Sequence, residues 1–300
     1  MRVFVTGASG FIGTPLTAQL IAGGHRVLGL ARSDSAARAL AEAGADVHPG
    51  SLEDLASLRA GVAKADAVVH LGFIHDFSKF QENCEIDRRA IEAMGSELAG
   101  TSRPILITSG TGAQAAPGRS AVESDAAVPS SIVPRGASEE AADAIASVGV
   151  HVRVVRLPQV HNPLRQGLVT YLIALAREKG VSAYVGDGSN RWPAVHVYDA
   201  AYLYRLALEQ PARPAIRYHA VGEEGVQLRA IAEAIGRRVN VPAKSIATEE
   251  APSHFGWLAH FVAADMPASS AITQQQLGWN PAGPGLIADL DRVSEPAVTS

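Results

Sequence analysis

The first thirteen residues constrain the fold of this chain more than any other segment. Residues 2–5 form a short apolar run typical of a buried strand, and the glycine-rich turn Thr-Gly-Ala-Ser-Gly-Phe-Ile-Gly follows at 6–13. In such a strand–turn–helix unit the successive glycines permit a tight turn, close backbone approach to a pyrophosphate, and close packing of helix on strand. Main-chain N–H groups and the positive helix end then face the phosphates. The residues predicted to contact a dinucleotide here are Gly7, Ser9, Gly10, Phe11, Ile12 and Gly13.

A regular alternation of strands and helices follows this turn and disfavours the alternative of a purely structural glycine turn. The predicted strands are 2–5, 26–30, 45–48, 67–71, 104–108 and 150–157. The predicted helices are 11–22, 35–43, 52–60, 83–99 and 134–147. Repeated β-α units of this length imply an α/β fold, a Rossmann-type doubly wound parallel sheet with helices on both faces.

The pattern becomes irregular after about residue 158, where proline and glycine are frequent. A strand is predicted at 216–221, and helices are predicted at 199–208, 228–237, 252–264 and 269–277. We therefore expect a Rossmann domain over 1–160, with a later segment of about 190–222 returning to it. Residues 161–300 would form mainly a smaller C-terminal α/β lobe that binds substrate.

Composition excludes several classes of protein. With 47% apolar and 19% charged residues, the chain is expected to be an ordinary globular protein, and its net charge of −4 gives no footprint for nucleic acid. Cys84 is the single cysteine, which fits a reducing compartment, and no apolar run approaches the roughly 20 residues of a membrane helix. We expect no signal peptide ahead of the first strand, and the histidines lack metal-ligand spacing. We expect a cytoplasmic protein without a membrane, nucleic-acid or metal partner.

The end of the second strand distinguishes the two nicotinamide cofactors. An acidic residue there would hold the ribose 2′-hydroxyl of NAD(H), but this chain has Arg32 and Ser33, with Asp34 one step later. A guanidinium and a hydroxyl suit a 2′-phosphate, so the sequence favours NADP(H) over NAD(H). In the alternative interpretation, Arg32 is a solvated surface charge and Asp34 caps the next helix.

These motifs together resemble the extended short-chain dehydrogenase/reductase superfamily. The similar segments are 6–13, Arg32, 69–72, 107–110, 156–162 and 191–199. The resemblance implies that Ser109 is a catalytic serine. It also implies further cofactor contacts at Leu52, Leu71, Gly72, Phe73, Ser109, Pro158 and Val160, and substrate contacts at His75, Gly110, Arg191 and Trp192.

The chain departs from that superfamily at the proton donor. The superfamily carries a Tyr about 25 residues after the serine and a Lys four residues later, and counting from Ser109 gives Arg135 and Glu139. No tyrosine precedes Tyr171, and the lysines lie at 64, 79, 179 and 244, so a shifted alignment does not restore the pair. The resemblance is therefore to the atypical branch that lacks Tyr-x-x-x-Lys.

The two replacing residues admit two interpretations. Their i,i+4 spacing predicts a helix salt bridge, or, functionally, Glu139 binds a nicotinamide-ribose hydroxyl while Arg135 meets an anion. An arginine is not a general acid at neutral pH. For the proton and the substrate oxygen, the candidates are Ser109 and His161, each with a purely structural role as its alternative.

Three functions remain open at this stage. The favoured one is an NADP(H)-dependent oxidoreductase acting on a carbonyl, alcohol or imine of a small organic substrate. The second is a nucleotide-sugar epimerase or dehydratase, which normally depends on the missing pair. The third is a non-catalytic sensor of the NADP(H) redox state. The resemblance also implies a homodimer formed through helices 83–99 and 134–147.

Overall fold

The computed structural model describes residues 1–112, 118–211 and 216–292. Its strands are β1 (Arg2–Thr6), β2 (Arg26–Ala31), β3 (Asp46–Pro49), β4 (Ala67–His70), β5 (Pro104–Gly110), β6 (His151–Leu157), β7 (Gln159–His161), β8 (Ser182–Val185), β9 (Arg191–His196), β10 (Ile216–His219), β11 (Glu223–Gln227) and β12 (Ala243–Ile246). Its helices are α1 (Gly13–Ala22), α2 (Asp34–Glu42), α3 (Leu55–Val62), α4 (Phe80–Leu98), α5 (Ala137–Ser147), α6 (Val169–Lys179), α7 (Val197–Glu209), α8 (Leu228–Val239), α9 (Ala251–Phe255), α10 (Ala259–Ala263), α11 (Ala271–Leu277) and α12 (Leu286–Arg292).

Seven parallel strands form the central sheet, in the order β10-β6-β5-β4-β1-β2-β3. The strand order changes direction at β1, because the connections from β1 to β2 and from β3 to β4 run to opposite sides of β1. In sheets of this type a ligand crevice lies at that point, beyond the carboxyl ends of the strands. Thr6 pairs with His70 in the β1–β4 register, so the glycine turn and the end of β4 lie side by side. The predicted Rossmann-type α/β fold is confirmed.

Alternate residues of each central strand pack into two apolar layers, one on each face of the sheet. This explains why the strand sequences are apolar throughout. Val3 and Val5 pack with Leu16 of α1 and Leu203 of α7 on one side of the sheet. Residues of opposite parity in the same strands pack against α3, α4 and α5 on the other side. The helices thereby fix the positions at which the strands end.

The second half of the chain is shared between the two parts of the fold. Strand β10 joins the central sheet beside β6, and α7 packs on α1. The remaining elements build a lobe with a three-stranded sheet, a two-stranded sheet and its own core around Trp192. The sequence predicted neither α6 nor the short strands of this lobe. No helix of the described residues is long and apolar enough to span a membrane.

Candidate active site at the carboxyl edge of the sheet

The glycine turn forms a cradle whose shape excludes side chains. Gly7 has φ of 67°, and a Cβ there would lie 2.9 Å from the backbone nitrogen of Gly72. The N–H of Gly10 donates to the carbonyl of Gly7 at 2.9 Å, and a Cβ at Gly13 would lie 2.0 Å from that same oxygen. The backbone of the turn therefore packs so closely against β4 and the start of α1 that Gly7 and Gly13 have no room for a side chain. Its open backbone N–H groups fit a dinucleotide pyrophosphate.

The wall opposite the cradle is the end of β4. The N–H groups of Leu71 and Gly72 donate to the backbone oxygen and the hydroxyl oxygen of Thr6, at 3.2 Å and 3.0 Å. A Cβ at Gly72 would lie 3.0 Å from the Leu52 side chain and from the Thr6 hydroxyl, so the absence of a side chain keeps this approach close. The predicted contacts Leu52, Leu71 and Gly72 thus lie together beside the cradle.

Three other predicted cofactor contacts are Phe11, Val160 and Pro158. Phe11 of the glycine turn lies under the guanidinium of Arg165, 5.3 Å from its ring centroid. Val160 is largely buried and pairs with Val195 in the lobe, whereas Pro158 between β6 and β7 is partly exposed. Of Val160 and Pro158, Pro158 is the residue that solvent reaches.

Arg32 is exposed at the end of β2 and makes no hydrogen bond or ion pair to any described residue. The N-cap of α2 is Ser33, whose hydroxyl accepts from the N–H of Ala36 at 3.2 Å. The alternative interpretation placed this cap at Asp34, which is instead the first residue of the helix. Arg32 is therefore free to meet an anion such as a phosphate.

A buried chain of hydrogen bonds runs from the cradle to the place of the missing tyrosine. Thr6 Oγ1 lies 2.7 Å from His70 Nδ1, and His70 Nε2 lies 2.9 Å from Asp87 Oδ1. The second oxygen of Asp87 accepts from Arg135 Nη1 at 2.6 Å and from the hydroxyl of Ser138 at 2.5 Å. Three elements of the sheet edge, β1, β4 and α4, are thus tied to the start of α5.

Asp87 carries the charge of this chain of bonds. Burial alone would raise the pKa of its carboxyl group, but the Arg135 guanidinium and hydrogen bonds from His70 and Ser138 outweigh that effect. The pKa of Asp87 therefore lies well below its usual range. The carboxylate is ionised at neutral pH and holds Arg135 by an ion pair as well as by a hydrogen bond.

Arg135 is anchored on three sides and faces the crevice. In addition to Asp87, its Nη2 donates to the carbonyl of Thr108 at 2.8 Å, and its guanidinium lies 4.3 Å from the centroid of the Phe73 ring. Ser109 follows Thr108 at the end of β5. The structure therefore brings together the predicted residues Ser109, Arg135 and Phe73, next to the cradle.

The predicted helix salt bridge between Arg135 and Glu139 is wrong, and so is the predicted contact of Glu139 with a ribose hydroxyl. The Glu139 carboxylate is 1% exposed and accepts from Arg156 at 2.8 Å and 2.9 Å, and from Arg217 at 2.8 Å. Burial opposes ionisation, yet these guanidiniums hold the pKa of Glu139 below its usual range. Glu139 therefore binds α5 to β6 and β10 and has no access to a ribose. Helical spacing could not reveal these ion pairs, because Arg156 and Arg217 lie in β6 and β10 and not in the helix of Glu139.

The tyrosine that contacts the end of β5 does not replace the missing proton donor. The Tyr204 phenol lies 2.7 Å from the Thr108 hydroxyl, but it is fully buried on the α7 side of the sheet. Burial raises the pKa of Tyr204 far above its usual value. The phenol therefore stays neutral inside the core and makes no contact with solvent in the crevice.

The prediction that His161 donates a proton is also wrong. Its side chain is 0% exposed, and its Nδ1 lies 2.8 Å from Asp289 of α12. Burial lowers the pKa of His161 despite the opposing effect of Asp289. This pair attaches the last described helix to β7 and β9. The sequence did not reveal this structural role because the carboxylate partner of His161 lies 128 residues further along the chain.

Two predicted substrate contacts belong instead to the lobe's own structure. Arg191 forms a two-pronged ion pair with Asp265, at 3.1 Å and 2.9 Å. Trp192 is fully buried and donates its indole N–H to the carbonyl of Phe261 at 3.0 Å. Neither residue faces the crevice as a free group, so both predictions are corrected.

The loop after β4 carries the remaining predicted contact. His75 is exposed there, and its ring lies 5.3 Å from that of Phe73, the ring that also contacts Arg135. Partial burial lowers the pKa of His75, and the nearby Arg135 guanidinium lowers it further. Gly110, also predicted, ends β5 opposite Leu157. His75 is thus a titratable group near the Ser109–Arg135 pair.

Sequence reasoning missed Asp87, although a signal was present. Asp87 lies three, four and seven residues before Ala90, Ile91 and Met94, so a carboxylate occupies the apolar stripe of α4. A carboxylate at such a position requires a buried partner. His70 likewise interrupts the otherwise apolar strand β4.

Comparisons with known proteins identify the family and the fold of the chain. The sequence model of the NAD dependent epimerase/dehydratase family matches residues 3–220. An uncharacterized protein of Schizosaccharomyces pombe is 47% identical over 97% of the chain and 98% of its own length. One from Saccharomyces cerevisiae is 44% identical over 97% and 98%. A UDP-glucose 4-epimerase of Thermus thermophilus, solved with NAD, is similar in fold with a TM-score of 0.74, at 18% identity and 97% coverage of both chains.

Proposed function

Because the chain belongs to the NAD dependent epimerase/dehydratase family, we propose that it is an NADP(H)-dependent oxidoreductase of the atypical extended short-chain type. Its substrate is a small organic molecule with a carbonyl, alcohol or imine group. The observation that carries this proposal is the anchored Arg135 guanidinium, which donates to the carbonyl of Thr108, the residue before Ser109 at the end of β5.

The cradle and Arg32 support the choice of cofactor. When bound, NADP(H) supplies or accepts a hydride at its nicotinamide ring. The backbone of Gly7, Gly10 and Gly13 holds the pyrophosphate, and Arg32 binds the 2′-phosphate because its guanidinium is planar and otherwise unpartnered. The enzyme therefore prefers NADP(H) to NAD(H).

Ser109 and Arg135 act on the substrate oxygen. The Ser109 hydroxyl donates a hydrogen bond to it, and Arg135 stabilises the negative charge that develops there. Asp87 and the Thr108 carbonyl already fix the guanidinium, so little reorganisation is needed when the charge appears. Arg135 keeps its proton throughout, since the guanidinium pKa lies above 12.

His75 is the group that we assign to the proton transfer. It is exposed in the loop that supplies Phe73, and the charge of Arg135 reaches it. During reduction the imidazolium gives its proton to the substrate oxygen, and during oxidation the neutral imidazole takes the proton back. The reaction in the reducing direction is carbonyl plus NADPH plus a proton giving alcohol plus NADP⁺.

Two alternatives have less support. A nucleotide-sugar epimerase would need the absent Tyr-Lys pair, and the arginine expected to reach its substrate is neutralised by Asp265. A sensor of NADP(H) redox state is consistent with an Arg135 that already has protein partners. Turnover is the property that separates the enzyme from the sensor.

The test measures NADPH oxidation by its absorbance with a panel of carbonyls and imines. We expect turnover that falls about a hundredfold in Ser109→Ala and in Arg135→Lys, because each removes a donor to the substrate oxygen. Arg88→Lys is the matched control, since Arg88 has a similar exposure and pairs with Glu140 on the far side of α4 and α5. Unchanged turnover in both site variants would contradict the assigned roles, and stoichiometric NADPH binding with no turnover would favour the sensor.

A further inference from the structure

We propose that a group of aromatic side chains at the crevice recognises the substrate through a flat ring, so that the substrate is an aromatic or conjugated carbonyl compound. We call this group the aromatic wall. Its members are Phe73, Phe77, Phe80, Tyr171 and Trp257. The inference rests on the proposed function and names its substrate class.

The wall is built from both parts of the fold. Phe77, in the turn before α4, stacks on Trp257 of the lobe with 4.6 Å between ring centroids and 15° between planes. Tyr171 of α6 meets both rings edge-on, at 5.8 Å from Phe77 and 5.3 Å from Trp257. Aromatic rings prefer stacked and edge-to-face contacts, so an aromatic ring of a ligand can pack on the wall in the same ways.

The wall reaches the reacting groups through Phe73. Its ring lies 6.2 Å from that of Phe80 on one side and carries the Arg135 guanidinium at 4.3 Å on the other. A ring lying along the wall therefore brings a carbonyl attached to it toward Ser109 and Arg135. The wall and the proposed catalytic pair form one continuous surface.

A large aromatic area of the wall remains open. Trp257 is 46% exposed and Tyr171 is 40% exposed, whereas Trp192 and Trp279, the other two tryptophans, are buried. Exposed apolar area of this size next to a crevice is typical of a ligand-binding surface. Trp257 is thus the tryptophan that a bound ring can cover.

Charged side chains of both signs lie near the wall. Asp76 and Lys79 flank the Phe77 turn, and Asp76 accepts from the N–H and hydroxyl of Ser78. Arg165 is exposed and lies over the Phe11 ring, and its charge lowers the pKa of His75. The wall itself offers ring faces, so the part of the substrate that it recognises is a flat ring.

The test is a binding measurement that needs no turnover. Isothermal titration calorimetry on the NADP⁺-loaded protein compares α-tetralone, which has a conjugated ring, with α-decalone, its saturated counterpart. We expect α-tetralone to bind at least about tenfold more tightly, because stacking acts on the flat ring alone.

Variants connect this preference to the wall. Trp257→Ala and Tyr171→Ala are expected to weaken α-tetralone binding about tenfold and α-decalone binding much less, while Trp257→Phe retains most of the affinity. Tyr202→Ala is the matched control, because Tyr202 is 42% exposed on α7, outside the wall. Equal affinity for the two ketones, or α-tetralone binding that both alanine variants leave unchanged, would overturn the inference.

The outcomes also separate this inference from the proposed function. If α-tetralone binds with the expected preference but NADPH reduces no carbonyl, recognition of the ring stands and hydride transfer fails. If saturated ketones are reduced as efficiently as conjugated ones, the oxidoreductase stands and the aromatic wall is refuted as its substrate surface.

Discussion

Replacing Glu139 by alanine distinguishes a structural carboxylate from a catalytic one. Glu139 accepts three hydrogen bonds, two from Arg156 and one from Arg217, and Arg156 is 0% exposed. Without Glu139, Arg156 would be a buried charge with only the Asp125 carbonyl and the His219 ring as polar neighbours. Breaking a buried ion pair from one side costs about 3–5 kcal/mol.

Chemical denaturation with guanidinium chloride, followed by circular dichroism, measures this loss. We expect Glu139→Ala to lower the free energy of unfolding by about 3–5 kcal/mol. NADPH affinity of the folded variant should change less than twofold, because Glu139 lies outside the crevice. The neighbouring Glu140 is 40% exposed and accepts from Arg88 and from the N–H and hydroxyl of Ser130, so Glu140→Ala should cost about 1–2 kcal/mol, less than Glu139→Ala.

A double variant checks the mechanism of the loss. Glu139→Ala with Arg156→Leu removes the uncompensated charge and should recover part of the stability, since the two effects are coupled. The reasoning is refuted if Glu139→Ala unfolds at the wild-type denaturant concentration while NADPH binding is lost. That result would return Glu139 to the cofactor site.

Three further perturbations test the crevice. Gly13→Ala places a Cβ 2.0 Å from the Gly7 carbonyl oxygen, so NADPH affinity should fall about a hundredfold by titration calorimetry, and wild-type affinity would contradict the cradle. The pKa of Asp87 is lower in the folded protein than its value of about 4 in the unfolded chain, so the ionised carboxylate stabilises the fold above that pH. The difference in free energy of unfolding between wild type and Asp87→Asn should therefore be largest at pH 7 and shrink as the pH falls below about 4. A difference that stays constant down to about pH 3 would refute this. Reduction should slow as pH rises through the lowered pKa of His75, and His75→Gln should abolish that dependence; an identical pH profile in the variant would exclude His75.

The sequence was informative where a local pattern decides the structure. Strands 2–5 and 104–108 and helix 83–99 were predicted from apolar runs and helical spacing, and the structure has β1, β5 and α4 there. The helix α6 also has buried residues at helical spacing, Val169, Leu172, Ile173 and Ala176, but frequent proline and glycine around it obscured the pattern. The short strands of the lobe pair with strands that lie far away along the chain, so no local sequence pattern indicates them.

Long-range pairing explains what the sequence did not reveal in the site. The spacing of Arg135 and Glu139 favoured a bond between them, yet each finds a stronger, buried partner 48 and 17 residues away, Asp87 and Arg156. Such partners are chosen by the order of strands in the sheet and not by helical neighbourhood. The absence of the Tyr-Lys pair was readable by counting, whereas the anchored guanidinium at that place required the fold.

Cofactor selectivity tests the central claim most directly. Titration calorimetry with NADPH and NADH on the wild-type protein, Arg32→Ala and the control Arg26→Ala, at the opposite end of β2, compares the relevant affinities. We predict that the wild type binds NADPH at least about tenfold more tightly than NADH, and that Arg32→Ala alone removes this preference. Equal binding of the two dinucleotides by the wild type, or binding of neither, would contradict the account.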